Sequence, residues 1–158
     1  MAVKPIPDGY HSVTPYLIVD RGAEAIDFYK RAFNATELFR MAQPDGRIGH
    51  AEIKIGDSPV MLADEFPEMG ARSPKSLGSS AVHLMVYVEN VDDVFKQALN
   101  AGAKQAQPVE NKFYGDRSGM LADPFGHMWT VATHVEDVSV EEVRRRAQTQ
   151  AKYQEQKQ

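Results

Sequence analysis

One stretch of this chain is written nearly twice. The segment Asp27-Phe28-Tyr29-Lys30-Arg31-Ala32-Phe33-Asn34-Ala35 returns as Asp93-Val94-Phe95-Lys96-Gln97-Ala98-Leu99-Asn100-Ala101. Each copy follows an apolar, strand-like run (residues 15–19 and 82–88), and each precedes shorter strand-like segments. A repeat of this period is too short for two independent domains and too long for a solenoid unit. The simplest reading is one domain of two similar halves, and the seam between such halves is a natural ligand site.

The 158 residues suffice for one domain with a sizeable core. A formal net charge of −4 argues against nucleic acid or an anionic membrane as the main partner. No apolar run approaches a membrane span, and Met1-Ala2-Val3-Lys4-Pro5 lacks the apolar core of a signal peptide. A cytoplasmic location is expected. With no cysteine there is no disulfide, thiolate ligand or cysteine nucleophile, which suits a reducing compartment.

Residues 1–10 read as an irregular lead-in, and 12–19 as a strand ended by the turn Asp20-Arg21-Gly22. Helical spacing of Ala25, Ile26, Phe28, Tyr29, Ala32 and Phe33 predicts an amphipathic helix over 23–33. Strands are expected at 37–42, 48–55 and 59–63, with Pro44-Asp45-Gly46 as a hairpin turn. The loop 66–80, rich in Pro, Gly and Ser, joins the halves and reads as a connector or a lid. The second half repeats the order: strand 81–88, helix 91–101 stopped by Gly102, then strands at 106–109, 117–122 and 128–133. Residues 139–156 are helical by propensity, with Ser139 as cap and Glu142 three residues on. This polar stretch reads as a solvated tail.

Two β-α-β-β-β halves resemble the vicinal oxygen chelate superfamily of glyoxalase I, bleomycin-resistance proteins and extradiol dioxygenases. The matching residues are Tyr16-Leu17-Ile18-Val19 leading to Ala25-Ile26-Asp27-Phe28-Tyr29, His83 to Val88 leading to the second helix, and Asp123-Pro124-Phe125-Gly126-His127. His50-Ala51-Glu52-Ile53-Lys54-Ile55-Gly56-Asp57-Ser58 and Tyr114-Gly115-Asp116-Arg117-Ser118-Gly119 look like the PhnB-like branch. The resemblance covers about residues 12–135. It implies an α+β fold of two βαβββ modules, about 12–65 and 80–135, forming a partly closed barrel-like cavity. That places one domain over 1–135, with a polar helical tail over 136–158. Members of the family commonly dimerise, so a homodimer is expected.

In such a fold one face of each sheet packs on its helix and the other lines the cavity, and strand alternation sorts the residues. Leu17, Val19, Ala51, Ile53, Ile55, Leu84, Val86, Trp129 and Val131 belong against the helices. Thr14, Tyr16, Ile18, His50, Glu52, Lys54, His83, Met85, Tyr87, Met128, Thr130 and Ala132 then face the cavity or solvent. Carried over by the resemblance, the family's metal-ligand positions fall on Thr14, about Leu62, His83 and Thr130. Of these only His83 is a credible ligand, because a divalent ion needs two or three protein N or O donors. The inherited metal site reads as dismantled. An alternative set is His50, Glu52 and His83, an open two-His-one-carboxylate site for Zn, Ni, Mn or Fe. Against it, His50 and Glu52 are two apart on one strand and can be solvated or bonded to each other.

The segment Tyr114 to Arg117 offers a ring for stacking and a guanidinium for a carboxylate or phosphate, or else a structural turn in which Asp116 pairs with Arg117. No Gly-rich phosphate loop and no Gly-x-Ser-x-Gly elbow occurs. Two functions compete. The first is a metal-independent binding protein for a small flat or anionic compound. Its candidate contacts are Thr14, Tyr16, His50, His83, Tyr87, Tyr114, Arg117 and Thr130, with Glu52 as hydrogen-bond partner. The second is a metal-assisted lyase or isomerase, in which Glu52 moves the proton of an enediolate. The missing inherited ligands favour the first, with no cofactor.

Overall fold

The apolar stripe Ala25, Ile26, Phe28, Tyr29, Ala32, Phe33 forms the buried face of α1 (Gly22–Phe33) in the computed structural model, which describes residues 3–155. Residues 1–2 of the expected lead-in and 156–158 of the expected tail lie outside the described residues. No side chain of the preceding residue caps this helix. Instead the buried Asp64 accepts the Gly22 amide at 2.8 Å with one oxygen and the Ile48 amide at 2.6 Å with the other. Gly22 is needed for that approach, since a Cβ there would lie 2.6 Å from the Asp64 carboxylate. The helix ends at Asn34, whose φ of 55° is the left-handed conformation that asparagine tolerates.

The first half runs β1 (Tyr16–Val19), α1, β2 (Thr36–Ala42), β3 (Ile48–Ile55) and β4 (Ser58–Asp64). A 3-10 turn at Pro67–Met69 and the short helix α2 (Pro74–Leu77) follow. Next come β5 (His83–Tyr87), α3 (Val91–Ala101), β6 (Lys104–Asn111), β7 (Asp116–Ala122), β8 (Met128–His134) and α4 (Val140–Glu155). In α3 the Asn90 side chain caps the Asp93 amide at 3.1 Å, and Asp92 and Asp93 occupy the first turn, where the helix dipole favours negative charge.

The strands form two four-stranded mixed sheets, ordered β1-β4-β3-β2 and β5-β8-β7-β6. In each sheet the first strand lies parallel to the last, and the remaining neighbours are antiparallel. No ladder among the described residues joins the sheets, so they are not closed on one another. Among the described residues no strand pairs with the outer edge of β1 or of β5. The halves are instead welded through α1 and α3, which pack together over one continuous core. Phe33 meets Trp129 at 4.9 Å between ring centroids, Tyr29 meets it at 5.6 Å, and Phe28 meets Phe125 edge-on at 5.9 Å.

A buried carboxylate completes the weld. Asp123, in the β7–β8 turn, accepts the Tyr29 hydroxyl at 2.5 Å and the Trp129 indole N–H at 2.9 Å on one oxygen. Its other oxygen accepts the Phe125 and His127 amides, each at 2.9 Å. Burial first, then the adjacent carboxylate, pushes the Tyr29 phenol well above its ordinary pKa, so it remains a donor. The His127 ring donates from Nε2 to the Ile18 carbonyl of β1 at 2.9 Å, a second stitch between the halves.

Several expected elements differ in extent: the strands expected at 12–19 and 81–88 are confined to Tyr16–Val19 and His83–Tyr87. The strand expected at 106–109 spans Lys104–Asn111, because an exposed edge strand carries polar residues on both faces and Pro108 lies where its register shifts. The joining loop 66–80 contains helical turns and buries Ser73 and Pro74. The tail is helical, with the Ser139 hydroxyl accepting the Glu142 amide at 3.2 Å. Arg146 anchors it, reaching Glu136 at 2.7 Å and the Phe113 carbonyl at 3.1 Å. No helix among the described residues is long and apolar enough to cross a membrane.

Candidate functional site at the seam between the halves

Two clefts lie along the seam between the halves; β5 walls both, beside β1 in the first and beside the residues before β1 and the start of β4 in the second. The first, of about 390 Å3, is lined by Tyr16, Leu17, Ile18, Val82 and Leu84, with Arg72 and Leu77 from the joining segment. The second, of about 680 Å3, runs past Val13, Ser58, Met85, Tyr87 and Trp129. Both fall in the size range of ordinary ligand pockets, and both are mainly apolar.

Tyr16 links the first cleft to a polar chain on the open face of β3. Alternation there buries Ala51, Ile53 and Ile55 under α1 and turns His50 and Glu52 to the opposite side. The Tyr16 hydroxyl lies 2.8 Å from His50 Nδ1, and His50 Nε2 lies 3.1 Å from a Glu52 oxygen. The other Glu52 oxygen accepts the hydroxyl of Tyr10, which reaches across from the lead-in. A carboxylate only accepts, so Nε2 carries its hydrogen toward Glu52, and Nδ1 is left to accept from Tyr16. This is the hydroxyl–imidazole–carboxylate order of a triad. Burial raises the Tyr16 pKa, which keeps the phenol protonated. Such a chain can fix one tautomer and orient the Tyr16 ring against a ligand. Tyr10 escaped the sequence reading because nothing local links it to a strand forty-two residues away.

The second half carries a chain of its own. The Tyr87 hydroxyl donates to buried Asp116 at 2.8 Å, and His134 bridges Asp116 and Asp137 at 2.8 and 2.9 Å. The bond to Asp116 foremost, then that to Asp137, raises the His134 pKa above its ordinary value. A pKa raised by folding adds stability below the unfolded value of about 6.5, and that stability disappears as pH climbs through the folded value. The melting-temperature gap between wild type and His134→Gln is therefore expected to be widest below about pH 6 and to close at alkaline pH. A gap independent of pH would show that the bridge carries no charge.

The remaining sequence candidates lie apart. Arg117 is on the helix side of β7 and makes a paired contact with Asp92 of α3 at 2.7 and 2.8 Å, plus one with Asn111 at 3.2 Å. The ligand clamp and the Asp116–Arg117 pair expected there both give way to this contact, because Asp116 and Arg117 are already strand residues facing opposite sides. Tyr114 packs edge-on against Phe113 at 5.3 Å in the turn before β7. Thr14 is half-buried just before β1. Thr130 is half-buried in β8 beside Met85 and Met120. His83 is exposed at the start of β5, opposite Met128. Leu62 lies in the core, with Met61 and Ala63 on the other face of β4. Among the described residues no three His, Cys, Asp or Glu side chains gather as a metal-binding set, so His83 does not join His50 and Glu52. At the inherited positions Thr14, Leu62 and Thr130 offer no imidazole or carboxylate, a donor set that does not by itself suit a divalent ion.

Residues 9–131 match the Glyoxalase/Bleomycin resistance protein/Dioxygenase superfamily, most of the chain and all of both halves up to β8. The chain belongs to that superfamily. An uncharacterised protein of Mycobacterium bovis is 44% identical over 135 residues, covering 84% of this chain and 89% of that one. Among solved structures, TioX from Micromonospora sp. ML1 superposes with a TM-score of 0.61 at 26% identity, covering 82% of this chain and 100% of TioX. A PhnB protein from Bacillus cereus gives 0.60 at 21% identity, covering 78% of this chain and 99% of that one. The fosfomycin resistance protein FosX from Listeria monocytogenes gives 0.59 at 15%, over 84% of this chain and 97% of FosX. The last two establish a shared fold only. Superfamily members bind small molecules, which accords with clefts at the seam.

Proposed function

We propose that this chain is a small-molecule-binding protein of the glyoxalase/bleomycin-resistance type, with a degenerate metal site, that takes a small flat or anionic compound into the seam between its modules. One observation carries the reading. The half-exposed Tyr16 ring walls the first cleft, while its hydroxyl is held by a His50–Glu52 pair. A ring fixed at its far end loses little freedom on binding, which favours stacking of a flat partner. The residue set at the inherited positions supports metal-independence, since Thr14, Leu62 and Thr130 offer no imidazole or carboxylate.

The protein is expected to work as a homodimer. Phe39 and Met41 on β2, with Met85 and Tyr87 on β5, leave apolar surface uncovered in a single chain.

Thermal shift of the full chain against a panel of flat metabolite-sized compounds tests the reading. A binder at a hundred times its dissociation constant adds about 2.7 kcal/mol, or roughly 5–10 °C for a chain of this size. Tyr16→Ala is expected to weaken that binder about tenfold or more, through lost stacking and lost wall area. A binder that tolerates Tyr16→Ala, or stabilisation that appears only after nickel, zinc or manganese is added, would contradict it.

A further inference from the structure

An anionic ligand needs a cation that is not already spent, and Arg117 is committed to Asp92. Arg72 is not. It lies on the wall of the 390 Å3 cleft, is exposed, and makes no hydrogen bond or ion pair with any described residue. Its charge is felt at a distance by Glu65, whose pKa is lowered chiefly by hydrogen bonds from Ser76 and Ser73.

The backbone beneath Arg72 is held firmly. Phe66 and Ala71 form a bridge, the Ser73 amide donates to a Glu65 oxygen at 2.6 Å, and Ser73 and Pro74 are buried. A free guanidinium on a fixed stem is arranged to meet something. The neighbouring wall adds the hydroxyl side chains of Ser79 and Ser80, and the rest is apolar, from Leu17, Ile18 and Leu77 to Val82 and Leu84. His127 also borders the cleft, but its Nε2 is occupied by the Ile18 carbonyl. The cleft therefore has one charged end and an apolar body, on a protein whose net charge of −4 supplies no general pull on anions.

We propose that this cleft takes an amphiphilic anion, a carboxylate or phosphate monoester on a ring-sized apolar body, with Arg72 holding the headgroup. This rests on the reading of the seam as the ligand site and names the chemical class. A guanidinium presents paired N–H donors to two oxygens of either headgroup, and the apolar walls contribute burial without choosing a sign of charge.

The probes are 2-naphthoate, 2-naphthyl phosphate and the neutral 2-naphthamide. Each is titrated into the full chain, with amide shifts at Ile18 and Leu84 reporting cleft occupancy. Wild type is expected to prefer one or both anions over the amide. Arg72→Gln should weaken anion binding roughly ten- to hundredfold, as for a lost charge-assisted hydrogen bond, and leave the amide unchanged. Lys75→Gln, which removes a nearby exposed charge, should leave every affinity unchanged. Both substitutions are at exposed positions, so melting temperatures should stay put and confirm folding. Anions that fill the cleft equally well in wild type and Arg72→Gln would overturn the assignment while leaving the seam as a ligand site. Probes that never perturb Ile18 or Leu84 would overturn both.

Discussion

Asp123→Ala is expected to destabilise the fold by about 3–5 kcal/mol, lowering the melting temperature by roughly 6–20 °C. The carboxylate accepts four hydrogen bonds in a buried site. Alanine would leave a phenol, an indole N–H and two backbone amides without an acceptor, and orphaned donors cost more than the bonds themselves gain. Tyr29→Phe removes only one donor and leaves the carboxylate three partners, so about 1 kcal/mol is expected. In the double variant the two effects should fall short of additive, because the Tyr29 hydroxyl is no longer there to be stranded. Denaturant midpoints measure all three. An Asp123→Ala protein within about 1 kcal/mol of wild type would mean that helix packing alone holds the halves together.

Gly115→Ala is expected to cost about 2–4 kcal/mol by a different route. The residue has φ of 102°, in the left-handed region, and an added Cβ would lie 2.1 Å from the Glu136 carbonyl oxygen. That oxygen is backbone, so relief requires moving the chain, and the Gly115 carbonyl itself accepts the Val135 and Glu136 amides at 2.9 and 3.0 Å. The segment displaced includes His134, which bridges Asp116 and Asp137, and Glu136, which anchors Arg146 of α4. Along with a lower melting temperature, faster proteolysis at the start of α4 is expected, with cleavage near residues 136–146. Intact α4 protection in a destabilised Gly115→Ala protein would show that the helix is held independently of this turn.

The fold was legible because its signals are periodic. The repeated helix, with apolar residues every three or four positions, and the alternation Ala51, Ile53, Ile55 against His50, Glu52 each project directly onto a face. For the same reason the shared face of His50 and Glu52 was readable in advance. Arg117 was read in the turn entering β7, where no alternation operates; as the second residue of β7 it faces α3, and one position along a strand decides the face. Leu62 shows the same sensitivity, since the position carried over from the family lands in the core while its neighbours Met61 and Ala63 face the other way. Arg72 and Tyr10 were invisible. Each sits in irregular chain where no period operates, and only folding brings one to the cleft and the other to Glu52.

Amide-resolved spectra of the full chain, recorded with a bound flat compound from the thermal screen, test the seam as the ligand site most directly. Shifts concentrated on β1 and β5, with a change in the His50 ring nitrogens as Tyr16 meets the ligand, are the predicted result. Shifts confined to the outer surfaces of α1, α3 or α4, with β1 and β5 unmoved, would contradict it.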